Sequence, residues 1–461
     1  MVAYPTTETL PLELRAIANF RRRIGGELLM RGDPGYDDAR RHWNAAVDRF
    51  PGFIVRPRDA RDIATAIAFA HAFDLPLAVR SGGHNGAGLA LCNDGVVIDL
   101  SRYNAITVDP AHRIARAQPG ATNGQLVHAA AAHGLAVTTG NASGVGLGGL
   151  TLGGGIGWLM GKHGLTIDNV LAFELVTAEG RVLQANADEH PELFWALRGG
   201  GGNFGVVSEI TYRLHPLGQV LAGRAVFPLA RARAALHALS AIDAAAPDEL
   251  TTFALFTTLP EVGSALAVHA VYSGDDLAAG EALLAPLRGT GGAVADNFRP
   301  MPYADLYPLD TPPPPAGRYF SGATTSLPEL TPGAIEALLV AAESRLTPFS
   351  TIAMQRLHGA AARVDIEETA FGLRWPQYFV SISAAWESGA AQSHQEWARG
   401  VEELLRPHAT PGRYINFMGK GTPAEIRAAY GPNAFRLARV KAQYDPENLF
   451  RLNQNIAPQK A

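Results

Sequence analysis

Three stretches crowded with glycine limit this chain more than any other feature: RSGGHNGAG (80–88), GNASGVGLGGLTLGGGIG (140–157) and RGGGGNFG (198–205). Glycine in a helix interior costs about 1 kcal/mol relative to alanine, so these segments read as loops held between other elements. Gly144, Gly146 and Gly149 satisfy G-x-G-x-x-G, the spacing of a nicotinamide-dinucleotide loop. The context argues against that unit. Its helix would contain Gly153, Gly154, Gly155 and Gly157, at a cost of about 4 kcal/mol. Nor does an acidic residue close a second strand about 20 residues on; Asp168 opens the next strand instead. Three glycine loops beside predicted strands better suit one long ligand carrying a pyrophosphate, approached closely by backbone whose successive N–H groups make an anion-binding concavity.

At 461 residues the chain is too long for one ordinary core, and two large domains are expected. Apolar residues at 47% and charged residues at 18% describe a packed globular protein. A formal net charge of −4 gives no electrostatic footprint for nucleic acid or a membrane surface. A single cysteine, Cys92, excludes an intramolecular disulfide. The opening MVAYPTTETLPLELRA lacks a basic region followed by an apolar one, and no run of about 18 apolar residues occurs, so a cytoplasmic protein without a membrane span is expected. No G-x-S-x-G, H-E-x-x-H or paired Cys/His ligands occur, so no serine hydrolase and no metal site is expected.

Between residues 52 and 100 the pattern is strand, helix, strand, loop, strand, with Ile63, Ile67, Ala70 and Phe73 on one helical face. ITVDPAHRIARA is a predicted hairpin. TNGQLVHAAAAHG is a predicted helix opened by Thr122 and Gln125 at capping-box spacing and closed by Gly134. NVLAFELVTAEGRVLQAN is a second predicted hairpin, PELFWAL a short helix and VVSEITYRL a strand. Beyond residue 215 glycine thins. ELTTFALFTTL, SALAVHAVYS, STIAMQRLHGAAARV and QYFVSISAAW read as strands with helices interposed, hence an antiparallel sheet covered by helices on one face. TPPPPAGRYF reads as a stiff surface loop at the rim of a site.

The order RSGGHN, GVGLGGLTLGGGIGWL, DNV…LVTAEGRVL, ELFWALRGGGGNFGVV and VKAQYDPENLFRLNQNI resembles the FAD-linked oxidases of the vanillyl-alcohol oxidase/PCMH fold, and within them the berberine-bridge-enzyme-like group that includes bacterial 6-hydroxynicotine oxidases. The resemblance implies an α+β protein with a PCMH-type, two-subdomain FAD-binding domain (1–215), a substrate domain (216–412) and a C-terminal segment (413–461) returning to the first. It implies an oxidase acting on a C–H next to an OH or NH of a small molecule, with O₂ reduced to H₂O₂. A flavin dehydrogenase, a secondary-metabolite tailoring enzyme and a non-catalytic flavin-binding protein are the alternatives. A homo-oligomer is left open.

The same resemblance distributes roles. His84 would carry FAD covalently, within a loop formed by Arg80, Ser81, Gly82, Gly83 and Asn85. Many members have a second, cysteinyl tether; GNAS puts Ala142 there, so a single bond is expected. Val145 falls at the family's oxygen-gate position, where valine leaves O₂ room. Gly140, Gly146, Gly149, Gly154, Gly205 and Val207 would line the FAD backbone site, and Asn453 and Asn455 would bond the cofactor from the tail. In GRYINFMG, Tyr414 matches the first tyrosine of a Tyr-x-Asn-Tyr strand, with Phe417 in place of the second, which makes Tyr414 the candidate base. Gln355 and His358 are further candidates; three residues apart, they should point to opposite faces of a regular strand.

Overall fold

The computed structural model describes residues 14–309 and 317–459, so most of the proline loop, residues 310–316, lies outside it. Apolar residues assemble three large sheets, beside a two-stranded pairing of Leu135–Ala136 with His215–Pro216. In the first, strands run in the order Glu27–Met30, Phe53–Arg56, Val96–Asp99, Leu77–Arg80. The last three are parallel and Glu27–Met30 is an antiparallel edge. Helix Ala60–Ala72 makes the crossover. Asp59 caps it by accepting from the Arg61 and Asp62 amides, and Ile63, Ala66, Ile67 and Ala70 are buried with Val55, Val96 and Ile98. Parallel strands covered on both faces need near-continuous apolar runs, as VVID supplies with four buried residues. Loop 81–88 leaves the C-terminal end of Leu77–Arg80.

The second sheet is antiparallel, in the order Ile106–Asp109, Ile114–Ala117, Val206–Arg213, Val170–Val176, Val182–Asn186. Both predicted hairpins are present in it. The capping box of helix Asn123–Ala131 forms as read, with Thr122 and Gln125 each bonding the other's backbone amide. Its core also takes Ile426, Ala429, Leu437 and Val440 from helices Pro423–Tyr430 and Ala434–Tyr444. The end of the chain thus packs where its first half folds.

The third sheet is antiparallel and spans residues 219–386. Its order is Ala295–Asp296, Gln219–Pro228, Gly263–Tyr272, Leu250–Leu259, Thr351–Leu357, Gln377–Trp386, Tyr319–Leu327, with Arg299–Pro302 also on Gln219–Pro228. Side chains alternate across a strand. Leu250, Ala254 and Phe256, Ile352 and Met354, and Tyr378, Val380 and Ile382 all face one core with helices Ala232–Ala244, Pro332–Glu343 and Ala391–Leu405. The opposite phase, Phe253, Ala353, Gln355 and Ser381, is free of these three helices; Trp158 packs on Phe253 instead, and Met160 of the short helix Met160–His163 packs with Leu357 and Phe379.

Three local expectations are corrected. The strand read through STIAMQRLHGAAARV stops at Leu357; Gly359, at φ +60°, turns the chain into the short helix Ala360–Arg363. GRYINFMG is a turn, closed by Phe417 N–H to Tyr414 C=O at 2.9 Å, with no strand pairing. Tyr319 and Phe320, read as part of a loop, open the edge strand Tyr319–Leu327.

Buried histidines give the fold a direction of pH dependence. Burial pushes His163, His269 and His358 down to about 4, so between pH 6.5 and 4 the unfolded chain binds up to three protons that the folded chain refuses. Buried Asp243, raised to about 6, works in the opposite sense over much of that window. His42, His84 and His215 are also held below the ordinary imidazole value, so the balance is a net refusal of protons and stability should fall as the pH drops below 6.5. Thermal melts from pH 7 to 5 test this; a flat melting temperature would contradict it.

Candidate functional site

A cavity of about 580 Å³ opens where the three glycine loops, the free face of the third sheet and the C-terminal tail converge. The loops meet backbone to backbone. A Cβ on Gly82 would overlap the Gly146 amide, and one on Gly146 would overlap Gly82, so side chains are excluded at both. Ser81 Oγ ties the first loop to Pro119 C=O at 2.5 Å. Asn123 Nδ2 holds the second through Ala142 C=O at 2.9 Å. Helix Leu147–Leu152 ends at Gly153, and Gly154 (φ +127°) and Gly155 (φ +80°) turn the chain in a way L side chains resist. The glycine run that argued against a dinucleotide helix does break one.

Most of the residues expected at a cofactor do line this cavity: Ser81, Gly82, Gly83, His84, Asn85, Gly140, Val145, Gly146, Gly149, Gly205, Val207 and Asn453. Arg80, Gly154 and Asn455 do not. Arg80 turns behind the loop, where its guanidinium donates to Ala39 C=O at 2.6 Å and leaves no room for a side chain on Gly83. Gly154 packs against the Phe371 ring, and Asn455 leaves its Oδ1 buried without a partner.

His84 is accessible from the cavity. The surrounding protein still desolvates its ring. That desolvation, with the Arg80 charge, holds its pKa below the ordinary imidazole range, against a Gly144 backbone bond that raises it. Its neutral form, with a free ring lone pair, is therefore favoured at neutral pH.

Of the three catalytic candidates the cavity brings together two. Gln355 is 2% exposed, and its Oε1 accepts from Asn141 Nδ2 at 2.9 Å, joining the sheet to the second glycine loop. Tyr414 is buried among Phe371, Phe379 and Phe417, with ring centroids 5.9, 5.4 and 4.9 Å away. Its hydroxyl accepts from Gly155 N–H at 3.0 Å and Asn416 Nδ2 at 2.9 Å, yet burial outweighs these bonds and pushes its pKa up to about 12. Ionising it at pH 7 costs roughly 7 kcal/mol. His358 lies elsewhere. Because its strand ends at Leu357, the ring turns onto Gly161 instead of the cavity.

Asn141, Phe253, Ser381 and Asn416 also line the cavity and carried no expected role. The two asparagines stand beside residues that the motifs single out, Ala142 and Tyr414. Phe253 and Ser381 lie in plain strand sequence, where only the phase and the identity of the helix-covered face could have marked them.

The wall fits a flavin dinucleotide. Cβ atoms on Gly149 and Gly202 would meet no protein atom, so what their absence leaves room for is cavity content. Asn453 Oδ1 is buried with no partner in the protein, although its Nδ2 bonds Gly202 and Phe450 carbonyls. Mostly apolar walls with a few placed polar groups are usual for cofactor sites.

Comparisons with known proteins agree. Residues 51–186 match the family described as FAD binding domain, and residues 413–457 match the one described as berberine and berberine like. The chain is 34% identical over 454 residues to (R)-6-hydroxynicotine oxidase of Paenarthrobacter nicotinovorans, covering 95% of this chain and 97% of that protein. It is 30% identical to an uncharacterised FAD-linked oxidoreductase of Bacillus subtilis, with 95% and 98% covered. The structure of 6-hydroxy-D-nicotine oxidase from Arthrobacter nicotinovorans superposes with a TM-score of 0.85 at 31% identity, covering 95% and 98%. Xylooligosaccharide oxidase from Myceliophthora thermophila shares the fold at TM-score 0.85 and 23% identity, covering 97% and 99%.

Proposed function

Because the chain belongs to the berberine-bridge-enzyme-like family of FAD-linked oxidoreductases, we propose that it is an oxidase whose FAD is bonded through a His84 ring nitrogen alone, and that it oxidises a C–H next to an OH or NH in a small organic molecule. FAD held by these residues would supply a two-electron acceptor for the substrate's hydride, with O₂ as the final acceptor and H₂O₂ as its product. The observation that carries the reading is the convergence in one cavity of His84 and Val145, on the glycine loops, with Gln355 and Tyr414.

The neutral state favoured at His84 supports a nucleophilic nitrogen ready to form that bond. Ala142, which also faces the cavity, offers no second nucleophile. Tyr414 stays protonated at working pH, so its role is to hold Gly155 and Asn416 and to present an O–H toward the reacting region. An alcohol substrate would have to pass its proton elsewhere; a neutral amine needs no base.

Peroxide formation coupled to turnover tests the oxidase assignment; turnover only with artificial acceptors would overturn it. Two finer outcomes follow. Val145→Leu should slow reoxidation by O₂ by about tenfold, equivalent to roughly 1.4 kcal/mol on that barrier, and leave anaerobic reduction unchanged. Tyr414→Phe should lower kcat/KM across the whole range without removing an ionisation between pH 7 and 10. Stopped-flow traces and pH profiles read both. A rise of kcat/KM with pH that disappears in Tyr414→Phe would restore the phenolate as base.

A further inference from the structure

At the sheet end of the cavity the polar groups are three amides and two hydroxyls: Asn141, Gln355, Asn416, Ser381 and Tyr414. Among the described residues lining the cavity there is no Asp, Glu, Lys or Arg. The charges of the third sheet lie elsewhere. Arg356, next to Gln355 in sequence, has the opposite strand phase, and Asp243 bonds Tyr378 Oη at 2.7 Å on the helix-covered face. The row across the free face runs Arg224, His269, Phe253, Gln355. Its one cation, Arg224, is exposed and two strands beyond Phe253, about 10 Å at ordinary strand spacing. An ion entering such a site would lose its hydration and gain no counter-charge.

The amides are arranged as a pair. Asn141 Nδ2 donates to Gln355 Oε1 at 2.9 Å, and Gln355 Nε2 faces Asn141 Oδ1 at 3.5 Å. A primary amide has two N–H donors and two carbonyl lone pairs. After this exchange each partner keeps a donor and an acceptor for a third group. Asn416 is different: both its N–H groups are spent on Leu150 C=O and Tyr414 Oη, leaving its carbonyl. Phe253 and Phe417 supply flat apolar surface beside these groups.

We infer that the enzyme selects its substrate in uncharged form, and that the Asn141–Gln355 pair reads a donor–acceptor edge on a ring-bearing molecule held against Phe253 and Phe417. This rests on the cavity being the substrate site of the oxidase proposed above. An amine would then bind as the free base, and carboxylates and quaternary ammonium compounds would be refused. Gln355 is the specificity-determining residue and Asn141 its partner.

The test is a ligand-observed NMR screen of the flavin-loaded enzyme with ring-bearing fragments matched in size, in equal neutral, cationic and anionic thirds. Hits are located by crystal soaking. The expected result is a set of cavity hits dominated by neutral fragments, with affinity falling at least tenfold in Gln355→Leu. Permanently charged fragments seated at the amide pair, or no fragment there at all, would overturn the inference, and both are read on the unmodified enzyme in case the variant folds poorly. Failure of the oxidase reading is separately visible: neutral fragments would bind at the pair, but no tested alcohol or amine would yield peroxide.

Discussion

Replacing Lys441 with methionine should destabilise the protein by about 3–5 kcal/mol, because it strands a buried carboxylate. Lys441 and Asp445 are both fully buried, 2.6 Å apart. Nζ also donates to Asn203 C=O at 2.8 Å and Phe450 C=O at 3.0 Å, and Asp445 accepts the Leu449 and Phe450 amides at 2.8 and 2.9 Å. The pair therefore fastens the third glycine loop, through Asn203, to the tail that carries Asn453 into the cavity. Flavin content should fall with stability, even though neither charge lines the site. Denaturant melts and the ratio of 450 to 280 nm absorbance report the two effects. A loss under about 1 kcal/mol with full flavin would show that the tail is held by apolar packing instead.

The second large effect separates two uses of glycine. Gly146→Val would force apart two backbones in contact, overpacking of a kind that costs about 1–3 kcal/mol or more, and should abolish FAD binding through the collapse of the loop pair. Gly149→Ala should do the opposite to stability. Gly149 lies in helix Leu147–Leu152 and its new Cβ would touch no protein atom, so the fold should hold or gain about 0.5–1 kcal/mol. That methyl projects into the cavity, and FAD binding should weaken all the same. A Gly149→Ala protein with unchanged flavin affinity would mean that the cofactor does not approach this wall.

How much of this the sequence could disclose depended on range. The Thr122/Gln125 capping box, the two hairpins and the helix Ala60–Ala72 are decided within a few residues, and all are read from local pattern. The glycine loops were legible as loops, and their order carried the family. What escaped is set by distant pairing. Gln355 and His358 sit in one strand-like run whose end at Leu357 is marked only by Gly359, and a single glycine does not fix where the His358 ring goes. Arg80 was placed at the cofactor by its motif neighbours, although its side chain serves Ala39 behind the loop. Asn44 gives no signal at all, yet its amide bonds both Gly86 C=O and the Phe320 backbone, clamping the first glycine loop to the third sheet. Only the tertiary fold brings those three segments together.

Whether flavin remains on the denatured chain tests the His84 linkage most directly. The purified protein would be precipitated with acid, washed, digested and analysed by mass spectrometry for a flavin-modified peptide containing residues 80–88. The expected result is a yellow pellet, one modified peptide with the adduct on His84, and a colourless pellet from His84→Ala. Flavin released wholly into the supernatant, or an adduct on any other residue, would contradict it.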